Sequence, residues 1–102
     1  MRGDIPSRIR IGGLLHEVRL VSQEELGQDR LADCDDVTPL IRLFSGMKHS
    51  KRRQIMLHEI FEGLTNTHFL EIGHEQLSVL ATEVLRVLDD NPKLRGWLWP
   101  KR

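Results

Sequence analysis

Two periodicities divide the apolar positions of this chain. From Arg8 to Val21 they fall in two β-compatible runs, Ile9 and Ile11 before Gly12-Gly13 and Leu14, Val18 and Leu20 after it. Paired glycines between such runs supply the positive φ angles of a two-residue turn, so residues 8–21 predict a β-hairpin. In that register Ile11 faces Leu14 and Ile9 faces His16, on one face with Val18 and Leu20. Arg8 and Glu17 then stand opposite each other on the other face as a solvated charge pair. Residues 22–36 are polar and acidic, with Asp33, Asp35 and Asp36 around Cys34, and a short strand is predicted near Arg30–Cys34. The stretch Val37–Phe44 has the branched and aromatic content of a strand, and Pro39 places it at an edge or a strand start. The acidic segment between the two reads as a hairpin connection.

From Ser50 the spacing lengthens to that of a helix. Ser50 is a suitable N-cap, and Ile55, Leu57, Ile60, Phe61 and Leu64 recur on one side through about Leu64. Thr65-Asn66-Thr67 interrupts or ends this helix. Lys51, Arg52 and Arg53 oppose the dipole of its first turn, which points to another task for them. A second helix is predicted from Glu75 to about Asp90, with Leu77, Leu80, Ala81, Val84 and Leu88 as its apolar stripe and Pro92 as its stop. The expected architecture is α+β, a small antiparallel sheet followed by two helices. One domain covers residues 1–92, and a C-terminal tail, 93–102, carries Trp97 and Trp99.

Composition narrows the classes of function. A length of 102 residues suits one small domain with one core. Fifteen Lys and Arg balance fifteen Asp and Glu, whereas nucleic-acid binding by bulk charge needs a basic excess. A single cysteine, Cys34, cannot close an intrachain disulfide, so a cytoplasmic compartment is expected. No apolar run approaches the ~20 residues that span a bilayer, and the first residues carry no apolar signal region. A membrane partner is therefore not expected. Trp97-Leu98-Trp99 reads as an aromatic anchor, packed on its own domain or in a homo-oligomer.

Histidine changes the picture: there are five, three of them followed directly by Glu. In His58-Glu59-Ile60-Phe61-Glu62 the first and last residues lie one helical turn apart and project side by side, as two ligands of one metal ion do. Glu59, beside them, is placed to take a proton from an activated water. This is the logic of the H-E-x-x-H zinc peptidases with Glu62 in place of the second histidine. Two residues compete as third ligand. His68 has the spacing of the third metzincin histidine, although Thr65 stands where that pattern turns on a glycine. His74 begins the second helix and is preferred, because a short connection folds that helix back beside the first.

Leu57–Leu64, His74-Glu75-Gln76-Leu77, Leu80-Ala81 and Val87–Pro92 together resemble small phage and prophage proteins related to the ImmA/IrrE-type zinc metallopeptidases. The opening Ile9-Arg10-Ile11-Gly12-Gly13 is similar to their first hairpin. A subgroup carries H-E-x-x-E and a later histidine at the position His74 occupies here. The resemblance implies a zincin-like minimal core that binds one Zn²⁺ through His58, Glu62 and His74, with Glu59 as general base and a peptide or protein as substrate. Such enzymes also need an oxyanion donor. The chain has no Tyr, so His68, His16 or Arg53 would have to serve. The rival expectation is a phage accessory or interaction protein that keeps the metal for structure or has lost it.

Overall fold

The computed structural model describes residues 5–35 and 37–101. Strands β1 (Arg8–Ile11) and β2 (Leu14–Val21) form the expected hairpin, with Gly12 and Gly13 at φ +58° and +82° in its turn. The register pairs Ile11 with Leu14, Ile9 with His16 and Arg8 with Glu17. The Glu17 carboxylate nevertheless accepts two hydrogen bonds from Arg19, at 2.9 and 3.1 Å, and makes its ion pair there rather than with Arg8. Arg19 lies two residues along the same strand, so both side chains share the solvated face.

A short helix, α1 (Gln23–Leu26), follows β2; Ser22 caps it and Leu26 anchors it in the interior. Strands β3 (Ala32–Asp35) and β4 (Leu40–Phe44) then make a second hairpin. The sheet order is β1-β2-β4-β3, and β2 runs parallel to β4. The sheet is therefore mixed rather than wholly antiparallel. The cause is the segment 22–31, which carries the chain past one strand position before β3 begins, so β4 returns into the gap beside β2. Asp35 Oδ1 accepts from the backbone N–H of Val37 (2.9 Å) and Thr38 (3.3 Å), which turns the chain between β3 and β4. Asp36, the third residue of the acidic cluster, lies outside the described residues.

Helix α2 (His49–Thr67) covers one face of the sheet. Ile11, Val18, Ile41 and Leu43 form the core, against which Ile55, Met56, Ile60 and Leu64 pack. Ile41 and Leu43 are fully buried, each contributing about 1.5–3 kcal/mol. Gly63 lets α2 approach the sheet closely: a Cβ there would stand 3.3 Å from Ile11 Cγ2 and 3.7 Å from Cys34 Sγ. The N-cap is Lys48, without a side-chain cap, and Ser50 falls inside the first turn. The two arginines of that turn have partners. Arg52 Nη2 donates to the carbonyls of Ser45 (3.0 Å) and Met47 (3.3 Å), closing off the strand-to-helix connection. Arg53 Nη2 reaches Asp89 at 2.8 Å.

The chain turns back after Thr67, with Phe69 at φ +55°, into α3 (His74–Asp90). Gln54 Nε2 donates to Thr82 Oγ1 at 2.8 Å, so α3 runs antiparallel to α2. Only Leu77 and Ala81 of α3 are buried; Leu80 and Val84, expected in its apolar stripe, are exposed. Pro92 ends α3 as expected but opens a further helix, α4 (Pro92–Leu98), in the segment read as a tail. Among the described residues no helix is long and apolar enough to cross a membrane.

Candidate metal centre

The centre is built where α3 folds back on α2. His58 and Glu62 project from one side of α2, with His58 Nε2 3.5 Å from Glu62 Oε2. The reversal after Thr67 brings His74, the first residue of α3, edge-on to His58: the ring centroids are 4.7 Å apart and the planes 70° from parallel. One ligand atom from each of His58, Glu62 and His74 lies within 4.8 Å of the others, so the three can hold a metal ion. Ligand atoms at about 2.0–2.2 Å from a common zinc lie somewhat closer to one another, so a small side-chain movement completes the grip.

Two further groups fit an ion here. Ser78 lies one turn beyond His74 and sets its Oγ 3.3 Å from His58 Nδ1. With Nδ1–H donating to that hydroxyl, His58 keeps the lone pair of Nε2 for a ligand bond. Burial also lowers the affinity of His58 for a second proton, against a weaker opposing pull from Glu62. The neutral ring is the form a metal takes.

Glu59 is 4% exposed, and its Oε2 is buried without a hydrogen-bond partner among the described residues. Desolvation, reinforced by the charges of Glu62 and Asp33 and relieved in part by Arg30, pushes its carboxyl up to about 8. An orphaned carboxylate oxygen beside two imidazoles and a second carboxylate is what a bound cation or an activated water would satisfy.

These side chains open into a groove of about 490 Å³ that is also lined by residues 29–34, three of them in β3. Sequence reasoning found four of the residues that line it, His58, Glu59, Glu62 and His74. It missed Ser78 and Arg30. The first could have been found from its spacing of four from His74; the second sits in a loop with no local signal.

The remaining expectations are corrected by position. His68 is not brought to the centre. Helix α2 continues through Thr65, whose hydroxyl donates to the Phe61 carbonyl at 2.8 Å, and His68 is its exposed C-cap. With no glycine to turn the chain at 65, ten residues of helix separate His68 from His58 by about 15 Å. His16 is buried under the sheet face with Nδ1 3.0 Å from the Leu14 carbonyl. Arg53 is turned to Asp89. None of the three lines the groove. Comparison with family models, with curated proteins and with solved structures finds no match to this chain.

Proposed function

We propose that this chain is a zinc metallopeptidase-like hydrolase, related to the phage and prophage proteins that its sequence resembles. The observation that carries the reading is the convergence of His58, Glu62 and His74 beside the buried Glu59, whose Oε2 has no hydrogen-bond partner among the described residues. Two imidazoles and one carboxylate are a catalytic zinc donor set, which leaves a position for water. When bound, the zinc lowers the pKa of a coordinated water and polarises a substrate carbonyl.

The chain's own residues do the rest. Glu59 accepts the water proton at its free Oε2 and returns it to the departing amine. Burial raises its proton affinity to about 8, so it takes the water proton as a carboxylate only once a cation bound beside it lowers that value. Ser78 fixes the ring of His58. Strand β3 is at the edge of the sheet and walls the groove, so an extended peptide can pair along it and cross the site. On this reading the partner is a peptide or protein and the compartment a bacterial cytoplasm.

One observation favours the second reading, an accessory protein with a structural metal. The groove contains none of the side chains expected to stabilise an oxyanion, and Arg30 is the cation among its lining residues. Metal content by mass spectrometry, followed by cleavage of an unfolded protein substrate, separates the two. Wild type is expected to hold one zinc, and His58→Ala and His74→Ala to lose it. Glu59→Gln should keep zinc and lose cleavage by about 100-fold or more. Zinc retained in both histidine variants ends the proposed ligand set. Zinc bound by wild type with no cleavage selects the accessory protein.

A further inference from the structure

The two tryptophans stand apart from everything described above. Helix α4 buries none of its residues. Trp97 is 76% exposed, Trp99 69%, Leu98 44% and Leu94 37%. The anchor therefore does not pack on its own domain. Leu94, Trp97 and Leu98 are spaced i, i+3, i+4 and form one apolar stripe along α4. On a 100° step Lys93 and Arg95 fall on either side of that stripe.

Charge decides what can cover it. Residues 92–102 hold four of the fifteen cations, Lys93, Arg95, Lys101 and Arg102, and none of the fifteen anions. The rest of the chain is therefore net −4. A second copy docked by two-fold symmetry, the commonest closed arrangement, would set these cations against their own kind. An apolar stripe of Trp and Leu, flanked by Lys and Arg whose stems can snorkel, instead matches the boundary between acyl chains and anionic headgroups.

We infer that residues 92–101 form an interfacial anchor, which lays Leu94, Trp97 and Leu98 into the surface of an anionic membrane without crossing it. The cations hold the headgroups, and the negative remainder of the molecule is turned away from the surface. This inference does not depend on the metal centre.

Both tryptophans of the chain lie in this segment and there is no Tyr, so intrinsic fluorescence reports on it alone. The full chain is titrated with vesicles of phosphatidylglycerol and phosphatidylcholine in equal parts, and with phosphatidylcholine alone. The expected result is a blue shift on the mixed vesicles and binding at least about tenfold weaker on the neutral ones. Raising the salt to about 0.5 M should release the protein. Lys93→Gln with Arg95→Gln leaves the reporter intact and should weaken binding about tenfold or more. In co-sedimentation, Trp97→Gln with Trp99→Gln should abolish binding. All four positions are exposed, and an unchanged thermal midpoint verifies that these variants fold. No shift on the mixed vesicles overturns the inference. So does a blue shift that grows with protein concentration alone while the protein sediments as a dimer, since a second copy then covers the stripe. A response to duplex DNA without a response to vesicles overturns it as well.

Discussion

Arg42 shows how much one side chain can organise. It projects from β4 and grips Asp33 on the edge strand with two hydrogen bonds, Nε to Oδ1 at 2.9 Å and Nη2 to Oδ2. Its Nη1 also reaches the Glu25 carbonyl in α1 at 3.2 Å. One guanidinium thus ties α1, β3 and β4 together behind the groove wall. The Arg42 hydrogen bonds hold the Asp33 carboxyl below the usual carboxylate range, while burial pushes Glu59 the other way. Their surroundings thus hold one carboxyl as an anion and bias the other toward its protonated form. Asp33→Asn should cost about 1–2 kcal/mol at pH 7, the worth of charged hydrogen bonds reduced for partial exposure. A depressed carboxyl contributes fully above its unfolded value, and the contribution fades as pH falls through the lower folded value. Denaturant midpoints of wild type and Asp33→Asn should therefore differ at neutral pH and converge in acid. A gap that persists in acid would assign the effect to packing.

Helix α2 carries both the core and the centre, and its fit to the sheet depends on Gly63. A Cβ there is already within 3.3 Å of Ile11, so Gly63→Val should destabilise the fold by about 1–3 kcal/mol, read from a denaturant transition. A neutral result would mean that α2 can lift from the sheet without loss.

The elements themselves were legible to very different degrees. The first hairpin could be read to the residue because a two-glycine turn sets the register on its own. His58, Glu62 and His74 were legible because helical spacing and one reversal suffice to bring them together. The parallel pairing of β2 with β4 was not, since it depends on where a polar segment of ten residues sends the chain. Nor was α4, none of whose residues is buried. The metzincin alternative failed on a single residue: Thr65 continues the helix where glycine would have turned it.

At the scale of the molecule the layers are unequal. The sheet and α2 share the core, whereas α3 adds only Leu77 and Ala81 to the interior. Its ties to α2 also include Gln54–Thr82, Arg53–Asp89, Ser78–His58 and the His58–His74 ring contact. The Arg53–Asp89 pair is exposed and of the kind worth about 1 kcal/mol or less. Of the two long helices, α3 is therefore expected to open before α2 in the metal-free protein. Zinc at 100 times its Kd should slow amide exchange in α3 by about 100-fold and leave the sheet amides unchanged. Equal slowing in both would show that α3 does not open separately.

The reversal at Phe69 has a consequence for exchange of the ion itself. It places two of the candidate ligands on α2 and the third on α3, the long helix with fewer buried residues. If the three hold one ion, detachment of α3 releases one of its ligands, and the lifetime of the ion then depends on a local opening rate as well as on the coordinate bonds. A chelator added in excess would strip the protein at a rate that no longer depends on chelator concentration.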